Sequence, residues 1–235
     1  MSKRFRDKVA LIAGGTGGLG RAISLAFLRE GAKVHVTWRS EGEMSAVKQA
    51  AVDDAASLHG HRVDVTDDPE TAQFLRSIGR LDILVNAVGA YAGGTPLWQT
   101  STAVFARMML LNVQSGFVLF RNAVPLMLAQ GSGAMVNVSS RAAVDHAAGA
   151  CAYAASKAAA LAMTDSLAAD LKGTGVRVNT VLPSIIDTEA NRKAMPDADF
   201  AKWPTAEEIA GAILFLCSDD ARLIHGAAVP VYGSN

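Results

Sequence analysis

A stretch that is otherwise mostly alanine, AYAASKAAALAMT, carries a tyrosine and a lysine four residues apart, Tyr153 and Lys157. Alanine and leucine favour helix, and residues at i and i+4 share one helical face, so the phenol and the ammonium group are expected side by side. A nearby ammonium group stabilises a phenolate, so the pair predicts an acid–base centre in which the pKa of Tyr153 is lowered. Taken alone, the same pair is more simply explained as a buried ring beside a lysine whose charged end reaches solvent.

A second candidate for chemistry is the glycine-rich segment AGGTGGLGRA, which follows the apolar run KVALIAG near the start of the chain. Gly15, Gly17 and Gly20 fit the pattern G-x-G-x-x-G, and two other glycine triplets in the segment fit related patterns. Glycines let the backbone turn sharply, approach a pyrophosphate group and present a helix N-terminus to it. The segment therefore predicts a dinucleotide-binding loop. Its residues are Gly14, Gly15, Thr16, Gly17, Gly18, Leu19 and Gly20.

The residues at the end of the second predicted strand, in VTWRS, bear on the choice of cofactor. Proteins that prefer NAD usually have an acidic residue there, which holds the 2′-hydroxyl of the adenosine ribose. This chain has Trp38, Arg39 and Ser40 instead, and an arginine can pair with the 2′-phosphate of NADP(H). NADP(H) is therefore the favoured cofactor and NAD(H) the alternative, since Arg39 is also explicable as a solvated loop charge.

Short, continuously apolar runs alternate with helix-length segments along nearly the whole chain. Seven runs are predicted strands, from KVALIAG to AAVPVYG, with the third at HRVDV, residues 61–65. Predicted helices include the long segments at residues 102–130 and 152–172. Continuous rather than alternating apolar strands indicate a parallel sheet covered on both faces. The prediction is a single α/β domain over residues 1–235, a Rossmann-like, doubly wound parallel sheet of about seven strands with helices on both faces.

The composition argues against several kinds of partner. Lysines and arginines number 22, as do aspartates and glutamates, so the net charge is zero and neither nucleic acid nor a membrane surface is expected as a partner. No run of 18 uncharged apolar residues exists, and the basic start MSKRFRDK is interpreted as a short solvated end. Cys151 and Cys217 are interpreted as free thiols in a reducing cytoplasm, the expected location. The five histidines show no ligand spacing, so no metal is expected.

Further motifs follow in an order that resembles the short-chain dehydrogenase/reductase family, in its compact single-domain form. The resemblance covers about residues 8–233 and is carried by the glycine segment, by NAVG after the fourth strand and by the spacing Y-x-x-x-K. It implies a catalytic set of Asn112, Ser140, Tyr153 and Lys157. It also implies cofactor contacts from Tyr153 and Lys157 and from Asp64, Val65, Asn86, Ala87, Val88, Gly89, Pro183, Ser184, Ile186 and Thr188.

The resemblance assigns roles to the four catalytic matches. Tyr153 is the expected general acid in reduction and general base in oxidation, and Lys157 the residue that tunes it and holds the nicotinamide ribose. Ser140, rather than Ser139, has the family spacing to the tyrosine and is expected to donate a hydrogen bond to the developing oxyanion. Asn112 is expected to anchor a water in a proton relay.

Three departures from the family pattern bear on these expectations. Ala87 and Val88 replace an asparagine and an alanine, which is expected to alter backbone support near the nicotinamide ribose. Ser184 replaces a glycine and is expected to add a side chain where the cofactor passes. The segment between Thr188 and Pro204, which in the family covers the substrate, is short.

The leading hypothesis is an NADP(H)-dependent carbonyl reductase or alcohol dehydrogenase, similar to reductases of 3-oxoacyl thioesters and other carbonyl compounds, with a small-molecule carbonyl or alcohol as substrate. An NAD(H)-preferring alcohol dehydrogenase, an epimerase or dehydratase, and a non-catalytic dinucleotide-binding regulator remain alternatives. Tyr91 and the pair Asp145–His146 are candidate substrate contacts, equally explained by packing and by loop exposure. The resemblance further implies a homo-oligomer, a tetramer or dimer.

Overall fold

Seven parallel strands form one sheet, as the continuous apolar runs predict. The computed structural model describes residues 3–234, and its strands are β1 (Val9–Ala13), β2 (Lys33–Trp38), β3 (Leu58–Arg62), β4 (Ile83–Asn86), β5 (Gly133–Val138), β6 (Val176–Pro183) and β7 (Ala228–Val231). Their order is β3-β2-β1-β4-β5-β6-β7, and every neighbouring pair is parallel. The order reverses between β1 and β4, and the carboxyl ends of strands at such a switch point are where α/β sheets bind ligands.

Helices cover both faces of the sheet. They are α1 (Gly18–Arg29), α2 (Glu41–Ala51), α3 (Asp68–Ile78), α4 (Thr102–Met109), α5 (Ser115–Gln130), α6 (Cys151–Asp170), α7 (Glu189–Ala194) and α8 (Ala206–Cys217). Alternate residues of β1 enter two cores: Ala10 and Ile12 pack with side chains of α1, α2 and α8, whereas Leu11 and Ala13 pack with those of α3, α5 and α6. The predicted Rossmann-like, doubly wound, single-domain fold is therefore confirmed.

The longest helical run, Thr102–Gln130, is long and apolar enough to cross a membrane by length and composition, with a mean hydropathy of 1.5. In the fold, this run consists of α4, a π-helical turn at Leu110–Gln114 and α5. The side chains of Leu119 and Met127 are fully buried in the second core. The run therefore belongs to the layer of helices that covers the sheet.

The predicted position of the third strand is wrong. The strand covers Leu58–Arg62 instead of residues 61–65, because Asp64 accepts hydrogen bonds from Thr66 and turns the chain away from the sheet. Strand β3 lies at the edge of the sheet and pairs only with β2. An edge strand tolerates polar residues such as those of LHGHR, so its apolar signal is weak.

The interpretation of the basic start as a solvated end is also wrong for the residues that the structure describes. Phe5 is 2% exposed, and its ring centre lies 4.9 Å from that of Phe27 on α1. Arg4 forms an ion pair of 3.1 Å with Glu30 at the end of the same helix. The segment thus closes one end of the first core. Residues 1, 2 and 235 of the predicted domain lie outside the described residues.

Candidate active site

Helix α6 brings Tyr153 and Lys157 onto one face, as their spacing predicts. The Lys157 Nζ atom lies 5.9 Å from the centre of the Tyr153 ring. Ser140, just after β5, forms a hydrogen bond with the Tyr153 side chain, whereas Ser139 Oγ donates to the main-chain carbonyl of Lys157 at 3.0 Å. The structure therefore brings Ser140, and not Ser139, to the phenol.

The surroundings of Tyr153 raise its pKa above the ordinary value of 10.0. Burial is the main cause, because it disfavours the charged phenolate. The hydrogen bond from Ser140 acts in the opposite direction without outweighing burial, and Tyr91, whose ring meets that of Tyr153 edge-on at 5.0 Å, adds to the rise. The prediction that Lys157 lowers the pKa of Tyr153 is therefore wrong, since burial dominates among the protein's own groups. The phenol is protonated at neutral pH.

Lys157 is 5% exposed, and its Nζ atom donates to the Val138 carbonyl at the end of β5, at 3.1 Å. Burial lowers the pKa of Lys157 from 10.5 to about 8, because an ammonium group loses its hydration there. Buried ionisable groups with displaced pKa values cluster at functional sites. The lysine can therefore exchange its proton close to neutral pH.

Asn112 lies in the π-helical turn between α4 and α5, and such turns are frequent at functional sites. Its Oδ1 accepts from the Ala90 N–H at 2.8 Å, and its Nδ2 donates to the Ala90 carbonyl at 3.0 Å and to Ser156 Oγ at 2.9 Å. These bonds use both amide hydrogens. The side chain thus ties the loop after β4 to α6, and the water-anchoring role of Asn112 stays a prediction.

Gly89 occupies the narrow space between Asn112 and Lys157. A Cβ atom at this position would lie 2.9 Å from Asn112 Oδ1 and 3.2 Å from Lys157 Nζ. Real Cβ atoms essentially never approach other atoms so closely, so glycine allows the loop after β4 to pass between the two side chains. The position therefore links the NAVG segment directly to the catalytic matches.

The residues before Gly89 hold the start of this loop. Asn86 is buried, donates from Nδ2 to Asn137 Oδ1 at 3.0 Å and accepts from the Val88 N–H at 3.2 Å. The Ala87 N–H donates to the Ala13 carbonyl at 3.0 Å. The two departures from the family pattern, Ala87 and Val88, therefore leave the backbone of the loop hydrogen-bonded.

The glycine-rich loop joins β1 to α1 at the switch point. Gly14 has a φ of +72°, and its N–H donates to Thr37 Oγ1 at 3.0 Å. A Cβ on Gly20 would lie 2.0 Å from the Gly14 carbonyl oxygen. Gly17 precedes α1 without any side-chain capping bond, and the free N–H groups of a helix N-terminus attract anions. This close-packed, uncapped turn fits a dinucleotide pyrophosphate.

Arg39 and Asp64 meet beyond the ends of β2 and β3. Arg39 Nη2 lies 2.8 Å from Asp64 Oδ1, and the two side chains are 63% and 45% exposed. Partial burial works to raise the pKa of Asp64, but the hydrogen bonds from Thr66 and the nearby Arg39 outweigh it and lower the pKa. Two residues predicted to contact the adenosine are therefore already paired with each other.

The neighbours of Arg39 have structural partners. Trp38 packs over Gly60, where a Cβ would lie 3.1 Å from its Nε1. Ser40 caps α2 by accepting from the Glu43 N–H at 3.4 Å. Thr16, in the glycine loop, donates from Oγ1 to Glu43 Oε2 at 3.0 Å. Sequence analysis missed Glu43 because it lies beyond the strand end, and its contact with Thr16 depends on how α2 packs beside the glycine loop.

Several predicted cofactor contacts have side chains turned into the protein. Val65 lies in the second core, so it can reach a cofactor only through its main chain, whereas Leu19 packs against the first core and also lines the cleft beside the glycine loop. Pro183 is buried at the end of β6. The Ser184 hydroxyl donates to the Tyr232 carbonyl at 2.7 Å, so it is directed to the chain after β7 rather than into the cofactor's path as expected.

The segment before α7 reaches back to the glycine loop. Ile186 packs against the first core, and its carbonyl accepts from Asn191 Nδ2 at 2.8 Å. Thr188 caps α7 by accepting from the Asn191 N–H at 3.2 Å. The Thr188 methyl group lies 3.3 Å from the place where Gly18 would carry a Cβ. Thr188 thus lies beside the loop, where it was predicted to contact the cofactor.

Sequence analysis also missed a cluster of three histidines on β2 and β3, the strands that lead to Arg39 and Asp64. Strand pairing sets His35 opposite His59 and Thr37 opposite His61, so the three imidazoles share one face of the sheet. His35 Nδ1 lies 2.9 Å from His61 Nε2. Burial, with a smaller contribution from His61 and His59, lowers the pKa of His35 to about 4. Within residues 3–234, no three His, Cys, Asp or Glu side chains are placed to hold a metal ion.

The candidate substrate contacts differ in their relation to Tyr153. Tyr91 is 67% exposed beside the Tyr153 ring. Asp145 forms an exposed ion pair of 2.9 Å with Arg141, and His146 is exposed. Of these residues, Tyr91 is the one that the structure brings to Tyr153.

Comparison with known proteins agrees with this geometry. A family model described as short chain dehydrogenase matches residues 8–199. An uncharacterized oxidoreductase of Thermotoga maritima is 35% identical and aligns over 98% of both chains. D-threitol dehydrogenase of Mycolicibacterium smegmatis is 35% identical over 98% of this chain and 93% of its own. The structure of ElxO with NADP bound superposes with a TM-score of 0.90, at 26% identity, over 96% of this chain and 97% of its own.

The chain belongs to the short-chain dehydrogenase/reductase family. It is therefore an oxidoreductase, an enzyme of a family that uses nicotinamide cofactors on small-molecule substrates. Both cysteines are free, as predicted.

Proposed function

We propose that this enzyme transfers a hydride between NADP(H) and a small carbonyl compound or secondary alcohol, with Tyr153 as the general acid and base. The observation that carries the proposal is the meeting of Tyr153 with Ser140 and with the buried amine of Lys157. These three groups lie in a chain of a dehydrogenase family. A proton donor, an oxyanion partner and an ionisable amine are what carbonyl reduction asks of a protein.

The glycine loop supplies the cofactor site in this proposal. Its support is the turn in which Gly20 packs on Gly14 and Gly17 leaves the N-terminus of α1 uncapped. A nicotinamide cofactor held there supplies the hydride donor or acceptor. Asn86 and Gly89, on the loop after β4, would line the path from this turn to Tyr153.

Tyr153 holds the proton that reduction needs. Negative charge develops on a carbonyl oxygen as its carbon is reduced, and a neutral phenol can donate a proton to it. Because burial raises the pKa of Tyr153, the chain's own groups keep the phenol in this acid form. Ser140, which lies beside the same phenol, is placed to turn its one hydroxyl hydrogen from the phenol to that oxygen. The protonated phenol is therefore the form that carbonyl reduction requires.

Lys157 and Asn112 act around that phenol. With a pKa of about 8, Lys157 gains and loses a proton near neutral pH and can restore the proton that Tyr153 gives up. Asn112 holds the Ala90 loop and Ser156 in place beside it. By family resemblance, Lys157 also binds the nicotinamide ribose.

The preference for NADP(H) over NAD(H) is supported by Arg39. In the part of the chain that the structure describes, the Arg39 guanidinium forms an exposed ion pair with Asp64, and exposed pairs contribute at most about 1 kcal/mol. A 2′-phosphate can therefore compete for Arg39. The NADP found with ElxO supports a cofactor of this kind in the family.

The experiment is a titration of the purified protein with NADPH and with NADH, followed by nicotinamide fluorescence, and then a screen of ketones and aldehydes for oxidation of the bound cofactor. We expect tighter binding of NADPH and turnover of at least one carbonyl class. Tighter binding of NADH would overturn the Arg39 argument alone. Binding without turnover of any carbonyl or alcohol would favour a dinucleotide-binding regulator.

We also propose a cytoplasmic homo-oligomer, a tetramer or dimer, without nucleic-acid or membrane partners. Its support is the zero net charge, the free thiols and the exposed apolar side chains of Phe105, Leu110 and Phe117 along the helical run. Light scattering during size-exclusion chromatography measures the mass, and a monomer at assay concentrations would contradict the proposal.

A further inference from the structure

A carboxylate reaches the glycine loop from α2. Glu43 Oε2 accepts a hydrogen bond of 3.0 Å from Thr16 Oγ1. Thr16 is 6% exposed, whereas Glu43 lies on the exposed side of the first turn of α2. The two residues line one cleft of about 900 Å³ together with Gly17 and Gly18. A fixed negative charge therefore stands beside the loop proposed to hold the cofactor.

The place of this carboxylate in the chain is informative. Dinucleotide folds that hold an unphosphorylated ribose use an acidic side chain about 20 residues beyond the glycine motif. The end of β2 offers Trp38, Arg39 and Ser40 instead. Ser40 caps α2 through the Glu43 N–H, so the cap fixes Glu43 in the first turn of the helix. The chain thus places a carboxylate at about the expected distance beyond the motif, on the helix rather than at the strand end.

Carboxylates accompany Arg39 at this end of the site. Asp64 pairs with its guanidinium at 2.8 Å, and Glu43 follows it along the chain in the first turn of α2. The cleft that Glu43 lines also carries Arg21, Glu207 and Lys193, which pairs with Glu189. A 2′-phosphate brought to Arg39 would approach two carboxylates as well as the arginine, and like charges at short range oppose binding.

We infer that Glu43 is a cofactor-specificity residue, whose carboxylate, held by Thr16, accepts the ribose 2′-hydroxyl of NAD(H) and opposes the 2′-phosphate of NADP(H). It acts against Arg39, so the preference of the enzyme is set by the difference between the two side chains. This inference rests on the proposed nicotinamide-dependent activity.

The test is the variant Glu43→Gln, which keeps an oxygen acceptor for Thr16 and removes the charge. The dissociation constants of NADPH and NADH are measured by fluorescence titration at low salt. We expect NADPH to bind about three- to tenfold more tightly, as befits the loss of one nearby like charge, while NADH binds equally well or about threefold more weakly. Raising the salt concentration should shrink the gain for NADPH.

The matched control is Glu41→Gln, which removes a carboxylate from the same exposed turn but leaves the Thr16 contact intact. An NADPH-to-NADH affinity ratio that changes in Glu43→Gln and not in Glu41→Gln supports the inference. An unchanged ratio in Glu43→Gln, or an equal change in both variants, overturns it while leaving the proposed function standing. If no protein, wild type included, binds either cofactor, the proposed function fails and the inference with it.

Discussion

The proposed site has two ends along the same edge of the sheet. The catalytic end lies around Tyr153 and Lys157 and the adenosine end around Arg39 and Asp64, and the two are held in opposite ways. At the catalytic end, Lys157 is 5% and Asn112 2% exposed, and both are hydrogen-bonded to neighbouring main chain. At the adenosine end, Arg39 and Asp64 are 63% and 45% exposed and are joined by one ion pair, and Asp64 also accepts hydrogen bonds from Thr66. Buried groups have few alternative partners, whereas exposed pairs exchange theirs at little cost.

This difference follows from the position of the strands. Strands β4, β5 and β6, whose ends carry the catalytic side, lie within the sheet between neighbours on both sides, whereas β3 is an edge strand next to β2. In the proposed mechanism, buried groups therefore carry out the chemistry and exposed groups decide the choice of cofactor. We expect substitutions at the catalytic end to change turnover and substitutions at the adenosine end to change cofactor affinity.

The largest effect is expected for Tyr153→Phe, which removes the proton donor and keeps the ring. Turnover of any carbonyl that the wild type reduces should fall by about 10²–10⁴-fold, the usual contribution of general acid–base catalysis. The thermal unfolding midpoint and the affinity for NADPH should change little. Retention of a tenth or more of the turnover would show that another group supplies the proton.

Lys157→Met should separate stability from activity. Turnover should fall by about 10²-fold or more, while the free energy of unfolding at pH 7 rises by about 1–2 kcal/mol, because a buried ammonium group is replaced by an apolar side chain. In the folded wild type the pKa of Lys157 is about 8, whereas in the unfolded chain it has its ordinary value of 10.5. The unfolded chain thus binds more protons in this range, and stability rises with pH from about 8 to 10.5.

Denaturant unfolding of both proteins across this pH range is the measurement. The methionine variant should lose the rise that Lys157 contributes. A variant that is less stable than the wild type at pH 7 would contradict the account of a costly buried charge.

Gly89→Ala tests how closely the loop after β4 approaches the catalytic end. The added methyl group would meet Asn112 Oδ1 at 2.9 Å and Lys157 Nζ at 3.2 Å, and displacing these groups should reduce turnover by about tenfold or more. The control is Gly211→Ala on α8, where a Cβ meets nothing within 4 Å. That change should leave turnover intact and stabilise the helix by up to about 1 kcal/mol. Equal turnover in both variants would refute the close approach.

The smallest effect is expected from the histidine cluster under the adenosine end. His35 has a pKa of about 4 in the fold against an ordinary 6.5, so the unfolded chain binds more protons between these values. The stabilisation from neutral His35 is complete above pH 6.5 and is lost as the pH falls towards 4. Unfolding midpoints should therefore fall less steeply with pH in His35→Asn than in the control His146→Asn, which alters an exposed histidine. If the unfolding midpoint depended equally on pH in both variants, the lowered pKa of His35 in the fold would be contradicted.

The meeting of Ser140, Tyr153 and Lys157 was predictable because their positions follow from regular structure and from the family spacing. Tyr153 and Lys157 meet through helical periodicity, and Ser140 follows a buried strand whose register is fixed by the apolar pattern. The direction of the Tyr153 pKa was not predictable in this way. It depends on how far burial outweighs neighbouring charges, and spacing does not report burial.

The adenosine end was predicted less well for a related reason. Its contacts join loops and side chains that are distant in sequence, such as Arg39 with Asp64 and Thr16 with Glu43. The directions of such side chains depend on tertiary structure rather than on periodicity. Phe5 shows the same limit, since nothing in a short basic segment indicates that its one aromatic ring closes a core.

The central claim is that chemistry and cofactor choice reside at separate ends of the site. It is tested most directly by measuring both NADPH affinity and turnover at saturating NADPH for Tyr153→Phe and for Arg39→Ala. The account predicts that Tyr153→Phe loses turnover and keeps affinity, while Arg39→Ala loses about tenfold in NADPH affinity and keeps turnover. Loss of turnover at saturation in Arg39→Ala, or loss of NADPH binding in Tyr153→Phe, would contradict it.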